Sequence, residues 1–376
     1  MQNRSFFILA IAFLLIPLTA LAAEDALPKN VIVMIGDGMG VAHVTAARIV
    51  KGELHFERCA VGGFSATHSA NRLVTDSAAG GTALATGERT NNGMVAMAPD
   101  GTPLKTLLEY AEDAGKSTGV VVTCSVTHAT PATFLAHVED RDQQPRIAEQ
   151  IVEGDADVIL GGGWGFFVPK SHKGSERNDE KDLLAELGKR MPVALTPEQL
   201  HGLGDVDSFA GMLAPDYLLW AEDRDPSLAE MTSMALDALS KNPNGFALMV
   251  EGSHLDWAGH DNDEEHIVAE TIDFDKAVGA ALDFAEANGE TLVVVTADHE
   301  TGGYTILNGK LEEKTLSKSN FGTGGHSAEM VPLFAEGPGA TALGGIHDND
   351  EVGRILIGYM KKAAAASAKE EAVAAP

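Results

Sequence analysis

The strongest constraint on this chain is where its ligand-type residues fall relative to its short apolar runs. Val31–Ile35, Gly119–Thr123, Asp157–Leu160, Phe246–Val250 and Leu292–Thr296 are brief, apolar and rich in β-branched residues. Pro332-Leu333-Phe334 is a sixth candidate. Such runs lack polar alternation, which fits strands buried on both faces. Helical spacing of apolar residues lies between them, at Leu104–Ala114 (closed by Gly115), Leu228–Leu239 and Ile267–Ala285. Alternating strands and helices predict an α/β fold. The expected form is a three-layer sandwich, with a central, mostly parallel sheet and helices on both faces. Asp37 follows the first run, Thr127, His128 and Thr130 the second, Glu251 the fourth, and Asp298 and His299 the fifth. Ligands of doubly wound sheets bind beyond the carboxyl ends of the strands. One such Asp is an ordinary turn or helix cap, but four strand ends supplied this way predict a shared site.

The chain ends read differently. Arg4, the apolar run Phe6–Leu18 and the small-x-small triplet Ala20-Leu21-Ala22 have the form of a signal peptide over residues 1–22. The run is too short to cross about 30 Å of hydrocarbon. Export to the periplasm or the medium is therefore expected. Residues 23–362 are expected to form a single domain, followed by an Ala-rich low-complexity tail over 363–376 that frays. No later stretch has the apolar length of a membrane span, so no membrane partner is expected. The formal charge of −28, from 27 basic and 55 acidic residues, leaves no basic patch for nucleic acid. It would also repel anionic substrates, so phosphate chemistry here requires local cations. Gly161–Lys181, rich in Gly and polar residues, reads as a surface loop. Cys59 and Cys124 are compatible with a disulfide after export or with free thiols.

Several residues have the chemistry of metal ligands. Asp256 and His260 stand four apart, on one face of a helix. Asp298 and His299 are adjacent and serve one ion only from a bent loop. His326 follows the glycine-rich segment from Gly322, which can fold back over the strand ends. Mixed His and carboxylate sets suit Zn2+, and an oxygen set such as Asp37, Thr130 and Glu251 suits Mg2+. Asp76-Ser77 precedes a run of small residues compatible with a helix. Ser there is commonly only a cap. The same position collects free N–H groups and positive dipole that favour phosphate.

Ile35-Gly36-Asp37-Gly38-Met39-Gly40, Thr75-Asp76-Ser77-Ala78-Ala79, Thr127-His128-Ala129-Thr130-Pro131, Glu251 through Asp256, His260, Thr296-Ala297-Asp298-His299-Glu300 and His326 occur in one order. That order resembles the alkaline phosphatase family, from about Val31 to Gly337. The resemblance implies an exported, metal-dependent hydrolase of small-molecule phosphate monoesters, with Ser77 as nucleophile and a phosphoserine intermediate. It implies two Zn2+ and one Mg2+ per subunit. Asp256, His260 and His326 would hold the first zinc, and Asp37, Asp298 and His299 the second. Asp37 with Thr130 and Glu251 would form the third site, where His128 and Trp257 are possible neighbours. Arg141 matches the phosphate-binding arginine, with Asp76 orienting it. The family also implies a homodimer, and the short connection from His299 to His326 marks a compact member. His254 is expected to be a packing or surface residue.

Two other classes compete. A related diesterase or sulfatase is disfavoured: Ser77-Ala78-Ala79 lacks the C/S-x-P-x-R pattern of sulfatases, and Arg141 reads two free phosphoryl oxygens. A non-catalytic metal- or phosphate-binding protein has no need of Ser77.

Overall fold

The computed structural model describes residues 27–374, with side chains to residue 365. The expected signal peptide, 1–22, lies outside the described residues. In chain order the strands are β1 (Asn30–Gly36), β2 (Val61–Ala66), β3 (Ser117–Ser125), β4 (Val158–Gly162), β5 (Val193–Ala194), β6 (Phe209–Met212) and β7 (Phe246–Gly252). They continue with β8 (Thr291–Thr296), β9 (Glu300–Thr301), β10 (Tyr304–Lys310), β11 (Thr315–Phe321), β12 (His326–Ser327), β13 (Val331–Glu336) and β14 (Gly345–Asp348). The helices are α1 (Val41–Lys51), α2 (Ser77–Thr86), α3 (Leu107–Asp113), α4 (Ala129–Leu135), α5 (Gln144–Glu153) and α6 (Leu183–Leu187). After them come α7 (Pro197–His201), α8 (Leu228–Leu239), α9 (His254–His260), α10 (Glu264–Asn288) and α11 (Asn349–Ala374).

Ten strands form one sheet in the order β14-β2-β13-β8-β1-β7-β3-β4-β6-β5. Every neighbouring pair is parallel except the two that involve β13. The apolar runs are buried on both faces, as their lack of alternation implies. Val31, Val33 and Ile35 face one core with α2, α3, α5 and α11, while Ile32 and Met34 face the other with α8 and α10. This is the three-layer arrangement expected from the sequence.

The central order β8-β1-β7-β3 is what positions the site. These four strands are adjacent and parallel. At about 4.8 Å per strand, their carboxyl ends fall within roughly 15 Å of each other. They are the same four runs that precede Asp298, Asp37, Glu251 and Thr127.

One local expectation changes. The segment 161–181 is no plain surface loop. Phe166 and Phe167 enter the core, and the nearly buried Arg177 ties the segment down through Glu149 at 2.9 Å and the carbonyls of Pro145 and Phe166. Helix α11 runs on through the Ala-rich stretch from 363 to Ala374. Both cysteines are free thiols; Cys124 is buried in the sheet. No helix among the described residues is long and apolar enough to cross a membrane.

Candidate active site

Ser77 opens α2, and its cap is the preceding residue: the Asp76 carboxylate accepts from the Ala79 N–H at 3.0 Å. The serine is therefore spared the capping role it could have had. Every residue of α2 is buried. A Cβ on Gly80 would meet the Asp298 carbonyl oxygen at 2.7 Å, so only a helix of small residues lets Ser77 approach the end of β8. Gly38 does the same at the end of β1. Its φ is +73°, and a Cβ there would meet Thr301 Oγ1 at 2.7 Å and the Asp256 backbone at 3.0 Å.

Three clusters of ligand atoms surround this point. Asp256, His260 and His326 form the first. His260 Nε2 lies 3.4 Å from Asp256 Oδ2 and 3.2 Å from His326 Nε2, which is 3.5 Å from Asp256 Oδ1. Asp37, Asp298 and His299 form the second, with His299 Nε2 3.4 Å from Asp37 Oδ1 and 3.2 Å from Asp298 Oδ2. A tetrahedral zinc with ligands at 2.0–2.1 Å has donor–donor edges of about 3.3 Å, so both sets match that shape. Ser77 Oγ sits 3.3 Å from His299 Nε2 and 3.5 Å from Asp37 Oδ2.

The histidines are oriented for this. His260 Nδ1 lies 2.8 Å from the Gly324 carbonyl, and His326 Nδ1 lies 2.8 Å from the Thr75 carbonyl. His299 Nδ1 lies 3.2 Å from Thr301 Oγ1. Each ring has its Nδ1 engaged, which leaves Nε2 to face an ion. His326 is held by a short ladder: β12 pairs with β9, and Glu300 accepts from Ser327 Oγ and from the Gly303 and Tyr304 N–H groups. The glycine-rich segment that leads to His326 is thus pinned over the strand ends.

The third cluster adds to the oxygen set read from the sequence. Thr130 Oγ1 does donate to Asp37 Oδ2 at 3.4 Å. Glu251 is in hydrogen-bond contact with Thr130 and also gathers with Cys124 and His128, and Cys124 Sγ lies 3.5 Å from Glu251 Oε2. Cys124 carried no sequence signal beyond its place at the end of an apolar run.

The electrostatics favour cations. Asp37, Glu251, Asp256 and Asp298 are nearly fully buried within one small volume. Among the described residues, none hydrogen-bonds to the buried Asp37 Oδ1, Glu251 Oε1 or Asp298 Oδ2. Burial, and then the neighbouring carboxylates, push Asp37 well above the ordinary range. Burial, and then Asp298, carry Glu251 up to about 8. Asp256 is the exception. Burial would raise it, but the bond to His260 and the His299 and His326 rings outweigh this and hold it low, while Asp256 lifts His260 to about 9. Orphaned buried carboxylate oxygens cost several kcal/mol each as anions, and bound divalent ions remove that cost. The residues present fit metal.

Arg141 reaches the same place. Its Nη1 donates to Asp76 Oδ2 at 3.3 Å, and its Nη2 lies 3.4 Å from His128 Nε2. Asp76 thus caps α2 and anchors the guanidinium together. Desolvation, then Arg141, hold His128 neutral with a pKa of about 3. Trp257, on α9, meets His128 edge-on at 6.2 Å and stacks on His254 at 4.3 Å. His254 is a buried packing residue, in contact with Arg224 at 3.1 Å. Thr301, which donates to Asp256 Oδ1 and touches His299, was not legible as a site residue.

A doubly wound sheet whose central strand ends hold two His–carboxylate sets around a buried serine defines a metal-dependent hydrolase type. Residues 28–314 match the family model described as "Alkaline phosphatase". His326 lies beyond that segment, and its place in the first cluster rests on the motif order and on geometry. The chain is 40% identical to alkaline phosphatase 4 of Bacillus subtilis over 74% of this chain and 62% of the relative, so the match leaves more than a third of that relative unaligned. It is 34% identical to alkaline phosphatase 3 of the same organism over 87% of each. The solved alkaline phosphatase of the Antarctic bacterium TAB5 is 36% identical, with a TM-score of 0.82, over 89% of this chain and 99% of that one. A histidine-to-aspartate variant of the TAB5 protein has Mg bound in its M3 site. The chain belongs to the alkaline phosphatase family of enzymes.

Proposed function

We propose that the protein is an exported alkaline phosphatase that hydrolyses phosphate monoesters through a phosphoserine on Ser77. The observation that carries this reading is the placement of Ser77 Oγ, at a helix start and within 3.5 Å of both Asp37 and His299. The first two ligand sets would hold Zn2+. The third, with Asp37, Thr130 and Glu251, would hold Mg2+, with His128 and Trp257 beside it. When bound, these ions supply Lewis acidity and positive field that favour the serine alkoxide and the departing alkoxide.

The chain's own groups then act as follows. The N–H groups at the start of α2 face the phosphoryl oxygens. Arg141 grips two of them with its planar fork, a geometry Lys cannot reproduce, and Asp76 keeps that fork aimed. Ser77 Oγ forms a bond to phosphorus as the ester oxygen leaves. Water then cleaves the Ser77–phosphate bond and releases inorganic phosphate. Asp37 and His299 hold the serine oxygen in place in both steps. Recognition that stops at the phosphoryl group admits many monoesters. Release to the periplasm or medium follows from the leader at 1–22, and a homodimer from the family habit.

Acid quench of the metal-loaded protein during turnover of a 32P-labelled monoester, followed by peptide mapping, tests the reading. Label on the peptide that contains Ser77 is expected. Label absent from that peptide during measurable turnover refutes the covalent route.

A further inference from the structure

We propose that the aromatic cleft beside Trp257 is a subsite for a planar aromatic leaving group of the phosphate ester. The proposal rests on the phosphomonoesterase reading above and adds a substrate class to it.

Helix α9 has two working faces. Asp256 and His260 point to the first ligand cluster. His254, Trp257 and Asp261, spaced i, i+3 and i+7, share a neighbouring face. They line a cleft of about 410 Å3 together with Tyr217, Leu219 and Trp220. That volume lies within the range of small-molecule sites.

Trp257 stands at the boundary. On one side its ring meets Tyr217 at 4.8 Å between centroids. On the other it meets His128, which contacts Arg141. A phosphoryl group gripped by Arg141 and a ring resting against Trp257 are thus separated by one side chain, the reach of a single ester molecule.

The rings form a box of faces and edges. Tyr217 crosses Trp257 at 67°, Trp257 stacks on His254 at 28°, and Trp220 crosses His254 at 71°. Such a box favours a flat π-system over a flexible aliphatic group. Its floor is rigid, because the buried Arg224 donates to Glu270 at 2.8 Å and to Asp273 at 2.7 Å, and lies 3.1 Å from His254 Nδ1. Its mouth is open: Tyr217 is 54% exposed and Leu219 63% exposed. That apolar surface gains from being covered. On a chain of charge −28, an uncharged ring also offers affinity without electrostatic opposition.

The test compares kcat/KM for phenyl phosphate and adenosine 5′-monophosphate with that for glycerol 2-phosphate. The comparison is made in the metal-loaded wild type, Tyr217→Ala and Tyr217→Phe. Taking the aryl-to-glycerol ratio cancels intrinsic reactivity between proteins. Tyr217→Ala is expected to lower that ratio about 3- to 10-fold, and Tyr217→Phe, which keeps the ring, to preserve it. An unchanged ratio in Tyr217→Ala, or an equal loss in both variants, overturns the subsite. Independently of any variant, adenosine should inhibit glycerol 2-phosphate hydrolysis competitively while ribose does not. Equal inhibition by both, or by neither, also overturns it. A wild type that hydrolyses none of the esters refutes the phosphomonoesterase reading itself, and the subsite with it.

Discussion

Stripping the metals should invert the usual effect of mild alkali on this fold. In the metal-free chain Glu251 titrates near 8, against 4.5 for an ordinary glutamate. Between those values the folded state holds a proton that the unfolded state has released. Stability contributed by that proton is therefore lost as pH rises. Below pH 6.5 the loss is masked. His43 and His128 are held down to about 4 and about 3, mainly by burial, and His299 is lowered for the same reason. These groups add stability as pH climbs to 6.5. Above 6.5 their contribution is complete, and only the opposite sign remains at the site. Glu251, half deprotonated at pH 8, alone then forfeits about 1.2 pH units of linkage by that pH, roughly 2 kcal/mol. Asp37, raised for the same reasons, adds to the loss, as does His260, lifted to about 9 by Asp256. With an unfolding entropy of about 0.7 kcal/mol/K for a chain of this size, the Glu251 share is about 3 °C of Tm. Thermal melts of EDTA-treated protein from pH 6.5 to 8 should show at least that fall. Protein loaded with Zn2+ and Mg2+ should not show it, because the ions keep the carboxylates ionised. Glu251→Gln, neutral at every pH, should flatten the metal-free profile by Glu251's share. A metal-free Tm that is level or rises over this range would refute the reasoning, since it would mean the buried carboxylates are already ionised and satisfied.

Other outcomes follow from single side chains. Ser77→Ala should reduce turnover of p-nitrophenyl phosphate about a thousandfold or more while metal content by elemental analysis stays that of the wild type; a modest loss would remove the serine from the chemistry. Arg141→Lys should lower kcat/KM for p-nitrophenyl phosphate about 10- to 100-fold, and less for the diester bis(p-nitrophenyl) phosphate, because the planar two-point grip is lost; equal losses on both esters would deny the grip. Arg224→Met strands Glu270 and Asp273, which are buried with it in one ion-paired cluster, and should cost about 3–5 kcal/mol in urea unfolding; an unchanged midpoint would show that the two acids find other partners.

How far the sequence announces all this depends on whether a feature is local. Strands buried on both faces must be short apolar runs, so Val31–Ile35 and Leu292–Thr296 are legible, and so are the ligand residues that end them. Asp256 and His260 are legible because helical spacing alone puts them on one face. The adjacency of β8, β1, β7 and β3 is not, because strand order is set by packing among segments far apart in the chain. The antiparallel insertion of β13 escapes for the same reason. Arg224 looked like any charged residue in an acidic stretch until the fold set Glu270 and Asp273 against it. Cys124 looked like the end of a strand until Glu251 arrived 3.5 Å away from the neighbouring one. The need for cations is likewise a property of the assembled fold. Asp37, Glu251 and Asp298 are unremarkable one by one, at the ends of three strands. Parallel pairing of those strands brings the three together out of water, each with a carboxylate oxygen that no described residue satisfies by a hydrogen bond. A fold that only needed to be stable would have no reason to converge them. The same convergence that is costly for the empty chain creates the field in which, on the reading proposed above, Ser77 at the head of α2 would act as a nucleophile.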